Sequence, residues 1–164
     1  MESTNISSVF LSKSTWHTIL ILGLLVGTLD ILSAIIDYYL SSHKNPVVIF
    51  KYIASAAIGN SAFTGGAGII LLGLLLHYFI AFFFTIFFLW LYTQTNILPG
   101  NRLLTGIAYG TFIWIIMNLI VVPLSCAPES TFQFFKFLKS ILILICMIGL
   151  PLAFLTGRFL KRKG

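Results

Sequence analysis

Long apolar runs alternate along this chain with short polar breaks, and the breaks set the elements. From about 16 to 40 the residues are almost all apolar, enough for one membrane crossing, which needs about 20 residues. Ser41, Ser42, His43, Lys44, Asn45 and Pro46 then stop the helix. The next segment, 46–63, is apolar but rich in small residues such as Ala54, Ser55, Ala56, Ala57 and Gly59, and it carries Lys51. It is too short and too mixed for a full crossing and reads as an interfacial or re-entrant helix, with a fifth span as the alternative.

Gly65, Gly66 and Gly68 interrupt the pattern before a second span over about 67–92, which ends with Trp90 and Tyr92 at a headgroup boundary. Gln94, Asn96, Pro99, Gly100, Asn101 and Arg102 make a short turn, so spans two and three are expected to be antiparallel neighbours. The third span is expected over about 103–125 and the fourth over about 134–157, bent at Gly149 and Pro151. The expected fold is all-α: an integral membrane bundle of four transmembrane helices plus a short interfacial or re-entrant helix. One domain, 16–157, lies between a polar tail at 1–15 and a basic tail at 158–164.

Composition strengthens this reading. The chain is 59% hydrophobic and 9% charged, whereas a soluble domain carries about a quarter charged residues. Its surface cannot face water on all sides, and lipid removes the conflict. The first run resembles a signal peptide, but it is too long, contains Asp30 and lacks an A-x-A cleavage site, so a retained helix is expected.

The net charge is +6, and its distribution argues against nucleic acid as a partner. Arg158, Lys161, Arg162 and Lys163 cluster beside the last span, where they suit a cytoplasmic flank and anionic lipid headgroups. Four crossings place Lys13, Arg102 and this cluster on one side, six basic residues against Lys44, Lys51, Lys136 and Lys139 on the other. Both termini are therefore expected in the cytoplasm. The lipid bilayer is the expected partner, and a homo-oligomer stays open.

Within the spans three polar residues stand out: Asp30, His77 and Asn118. The twelve Leu, Ile and Val residues between Thr18 and Ile36 favour insertion by about 5 kcal/mol. A central Asp costs about 3 kcal/mol, so span one can just carry it. Asp30 lies about 15 Å, and His77 about 16 Å, from the corresponding helix ends at a rise of about 1.5 Å per residue. Gly23, Gly27, Asp30, Ala34 and Asp37 follow helical steps, as do Gly73, His77, Ala81 and Thr85. Both polar residues thus ride on small-residue stripes of the kind that helix contacts in lipid use. An Asp30–His77 hydrogen bond or ion pair is expected, either fixing helix register or handling a proton or substrate. Asn118 reads as an interhelical hydrogen-bonding residue, Asp37 as solvated, and Gly106 with Gly110 as a packing pair.

Other chemistries find little support. Gly65-Gly66-Ala67-Gly68 lacks the Lys of a phosphate loop, and no GxSxG or HExxH motif occurs. Cys126 and Cys146 have no metal spacing, and His77 is the single histidine deep inside a span, with His17 at the edge of the first, which argues against bis-His haem ligation. No cofactor, metal or catalytic residue is expected.

Gly27-Thr28-Leu29-Asp30, Gly73 with His77-Tyr78, Tyr109-Gly110 with Asn118 and Pro123, and Gly149-Leu150-Pro151 together resemble the YagU-type bacterial inner-membrane proteins. The likeness runs from about 20 to 157. It implies a bacterial inner membrane, an association with acid resistance, and no defined molecular activity. Two functional readings follow: a non-enzymatic structural or partner-binding bundle, and a small transporter or proton-linked permease component using Asp30 and His77.

Overall fold

The computed structural model describes residues 13–94, 100–128 and 133–160, and all its regular elements there are helical. Four helices are long and apolar enough to cross a membrane. Span one is a single helix, Lys13–Ser42. His43, in the left-handed region at φ 54°, ends it, and its N–H reaches back to the Tyr39 carbonyl at 2.8 Å. Asn45 then accepts from the Val47 N–H at 3.0 Å, and the short helix Val48–Ile58 begins. At Gly59, φ 66°, the chain turns into the 3-10 segment Gly59–Phe63 and folds back, so that Lys51 Nζ donates to the Phe63 carbonyl at 3.0 Å. A left-handed φ of this kind is cheap only for glycine.

Span two, Ala67–Gln94, is uninterrupted α-helix. Span three starts at Arg102, where Asn101 Oδ1 accepts from the Leu104 N–H at 3.1 Å as an N-cap. It runs as α-helix to Ile116, as π-helix over Met117–Val121, and as a last α turn over Val122–Leu124. Span four repeats the pattern: Phe134–Leu144, a π stretch Ile145–Gly149, then Leu150–Leu160.

Both π stretches end two residues before a proline, Pro123 in one case and Pro151 in the other. A proline in a helix offers no N–H, and its ring collides with the carbonyl four residues back. A wider turn moves that carbonyl away while keeping five-residue bonds, Val122 N–H to the Met117 carbonyl and Leu150 N–H to the Ile145 carbonyl. The bend expected at Gly149 and Pro151 is thus a π-bulge.

Gly23 faces Phe82, and Gly27 faces Tyr78 and Ala81, so spans one and two run antiparallel. Gly157 near the end of span four lies beside Tyr92 and Arg102, and Lys139 near its start meets Asp37 and Ser41. The described ends at Lys13, Gln94, Arg102 and Leu160 therefore share one end of the bundle, the terminal end; Ser42, Ala67, Leu124 and Phe134 share the other, the loop end. Span one packs against spans two and four, and span four against span three. The short helix lies on span two, with the Phe50 backbone against Gly73, where no side chain intervenes.

Spans two and three meet differently. Phe88 packs edge-on to Tyr109 with ring centroids 4.7 Å apart, Phe87 stacks on Phe112, and the Tyr109 hydroxyl donates to the Phe84 carbonyl. This seam is filled by rings, whereas spans three and four touch backbone to backbone.

The core sits in the terminal half: Leu22, Val26, Phe84, Phe88, Tyr109, Ile113, Ile148, Leu152 and Ala153. Outward-facing apolar side chains cover the rest; Phe79, for instance, is 71% exposed. In water such a surface would drive association, and in a bilayer it faces acyl chains.

Candidate functional site

Span one approaches span two closely because Gly23 and Gly27 present no side chains there. That closeness brings the buried ring of His77 to the Gly27 carbonyl, with Nε2 at 2.8 Å. A carbonyl only accepts, so Nε2 carries the proton and donates. Beside this bond the Thr28 and Tyr78 hydroxyls lie 2.8 Å apart, a second polar link between the same two helices. The His77 and Tyr78 rings stand edge to face at 5.4 Å.

Asp30 is partly buried and lies one turn beyond Gly27, whose carbonyl holds the His77 ring. Among the described residues no hydrogen bond joins the two side chains; the ring is committed to the backbone of span one. The Asp30 carbonyl accepts from the Ser33 hydroxyl at 2.7 Å. Asp30 and His77 thus lie together on facing helices, with a backbone carbonyl as the direct partner of the imidazole.

Asn118 is elsewhere. It is exposed on the π stretch of span three, and its Nδ2 donates to the Trp114 carbonyl of the same helix at 3.0 Å. A wide turn leaves carbonyls less well paired, and a nearby amide on the same helix reaches one of them before any neighbouring helix does. Gly106 and Gly110 face span four. A Cβ on Gly106 would fall 2.9 Å from Leu150 Cα, and one on Gly110 2.8 Å from the Ile145 nitrogen. Gly149 answers them, its own Cβ position lying 2.9 Å from the Gly110 nitrogen.

Sequence reasoning missed three partnerships. Asp37, expected to be solvated, forms an ion pair with Lys139 of span four, and Lys139 also reaches Ser41 at 3.4 Å. Trp114 Nε1 donates to the Ser140 hydroxyl at 2.7 Å, tying span three to span four. The Tyr109 hydroxyl reaches the span two backbone. The signal for the first was available: Lys136 and Lys139 start span four at the end where Asp37 closes span one. The basic tail residues Lys161, Arg162 and Lys163 lie outside the described residues. No group of three or more His, Cys, Asp and Glu side chains suited to a metal occurs among the described residues.

Family models, curated proteins and solved structures were compared with this chain, and none matches it.

Proposed function

We propose that this protein is a non-enzymatic multi-pass membrane bundle, structural or partner-binding, whose intramembrane polar groups set helix register. The observation that carries the reading is the His77 Nε2–Gly27 carbonyl bond, which spends the one imidazole of the membrane interior on a neighbouring backbone. Thr28 with Tyr78 and Trp114 with Ser140 are spent the same way, each on another span. Polar contacts of this kind contribute about 0.5–2 kcal/mol each in lipid. The reading includes a bacterial inner membrane, on the YagU-type resemblance. It also includes cytoplasmic termini and contact of the basic tail with anionic headgroups, on the charge distribution.

A second reading, a proton-linked transport component, is favoured by one observation: Asp30 is partly buried one turn from the Gly27–His77 contact and lies inside a span, where an ionisable group is expensive. One experiment separates the two. His77→Ala and Asp30→Asn are compared with the parent for folded yield and thermal stability in detergent, and for proton and solute flux in vesicles. The register role predicts that His77→Ala loses about 0.5–2 kcal/mol of stability, with no flux in parent or variant. Parent flux abolished in a variant of undiminished stability would overturn that role in favour of transport.

A further inference from the structure

Basic side chains are partnered differently at the two ends of the bundle. At the loop end Lys139 pairs with Asp37 and reaches Ser41, and Lys51 donates to the Phe63 carbonyl. At the terminal end Arg102 is partly buried and Arg158 is exposed, and no acid among the described residues lies there. Asp30, the nearer of the two described acids, is about 25 Å along span one from Lys13 at 1.5 Å per residue. A partly buried charge without a counter-charge is unfavourable beside hydrocarbon, so Arg102 calls for an anion from outside the described bundle.

Three spans converge on Arg102. Gly157 of span four is buried, and where its Cβ would stand the Tyr92 hydroxyl of span two is 3.2 Å away and a guanidinium nitrogen of Arg102 is 3.5 Å away. The missing side chain lets both donors close over one point of the span four backbone. Among the described residues neither the guanidinium nor the hydroxyl has a hydrogen-bond partner. The exposed Arg158 follows at the next residue, so the surroundings carry a second positive charge. Trp16 and Trp90 stand exposed at the same end, and such rings sit at headgroup depth.

The geometry is that of a planar fork of N–H donors beside an O–H donor, at a membrane boundary with surplus positive charge. A phosphodiester matches it. Its two unesterified oxygens accept the fork in parallel, and either can also accept from the phenol. We propose that Arg102 and Tyr92, closed over Gly157, hold the phosphate of an anionic phospholipid. An anionic headgroup is preferred to a zwitterionic one because the latter brings a second cation up to Arg158. The site rests on the membrane reading above and is distinct from the basic tail. Held there, the lipid straps together the ends of spans two, three and four.

The test uses the full chain in dodecylmaltoside, titrated with dioleoylphosphatidylglycerol and separately with dioleoylphosphatidylcholine. The rise of the thermal midpoint with lipid concentration gives each apparent affinity, because a ligand of the folded state stabilises it by mass action. The parent should bind phosphatidylglycerol more tightly than phosphatidylcholine. Arg102→Gln should lose about tenfold of the phosphatidylglycerol affinity, the size of one charge-assisted hydrogen bond. Tyr92→Phe keeps the ring and should lose about threefold, which supplies the result if Arg102→Gln does not fold. Lys136→Gln, at an exposed cation of the loop end, should change neither affinity. Parent-like phosphatidylglycerol binding in Arg102→Gln and Tyr92→Phe would overturn the site. So would complete loss of the preference on changing Lys161, Arg162 and Lys163 to Gln with Arg102 intact, since the tail would then be the lipid contact. Equal stabilisation by inorganic phosphate, lost in Arg102→Gln, would replace the lipid by a free anion. A failed site leaves the need for detergent unchanged, whereas a chain monodisperse in plain buffer removes the membrane reading itself, so the two failures are distinguishable.

Discussion

At the scale of single residues, polar groups in this bundle are few and nearly all are spoken for. Among the described residues, the buried side-chain group without a hydrogen-bond partner is the hydroxyl of Thr156, which is fully buried. A buried unpaired donor costs about 1–3 kcal/mol. Thr156→Val keeps the shape and removes the hydroxyl, so it should raise the midpoint of thermal unfolding in detergent by a few degrees, about 2–4 °C per kcal/mol for a chain of this size. A lowered midpoint would mean that the hydroxyl has a partner after all, such as an ordered water. How much of the site could be read from sequence is also a residue-scale matter. The small-residue stripes of spans one and two mark the faces on which Asp30 and His77 meet, because glycine spacing records close approach. The true partner of His77, the Gly27 carbonyl, leaves no mark in a sequence, since every residue has a carbonyl. Asn118 misleads for a related reason: its type announces hydrogen bonding, and its partner lies on its own helix.

At the scale of elements, the link between proline and π-turn makes a specific prediction for span four. Deleting Met147 removes the extra residue of the π stretch and restores an ordinary α-helix. The Pro151 ring then meets the carbonyl that the wide turn had moved aside, at a cost of about 3 kcal/mol. Combining the deletion with Pro151→Ala should recover most of that loss, a non-additivity measurable as thermal stability of the two variants against the parent. A double variant no more stable than the deletion alone would break the link. The long helices themselves were legible, because runs of more than twenty apolar residues bounded by Asn, Pro, Gly and charges leave few alternatives. The π stretches were not. A Pro inside a run announces a bend, while the form of the bend depends on which neighbour fills it, here Gly106 and Gly110 against Gly149 and Ile145.

At the scale of the whole molecule, the exposed surface is apolar around the full circumference, with Leu75 60% and Phe135 84% exposed at opposite helices of the bundle. Dilution below the critical micelle concentration should therefore send the purified protein into aggregates, seen as loss of the monodisperse peak in size-exclusion chromatography. A stable monomer in plain buffer would contradict membrane residence. Composition had made this much readable, since 9% charged residues cannot clothe a soluble surface. The seating of the short helix, on span two and hydrogen-bonded at the Ala56 carbonyl to the end of span three, was not readable, because the small residues of 46–63 mark a buried face without naming the helix it meets.

The two kinds of seam in this bundle have unequal tolerance for evolutionary drift. Where Gly106 and Gly149 bring peptide groups into contact, any added carbon atom must push helices apart, so those positions are locked to one residue type. Where Phe87, Phe88, Tyr109 and Phe112 interleave, one bulky ring can replace another and the gap re-forms around it. Descendants of this chain would be expected to vary between spans two and three while standing still between spans three and four.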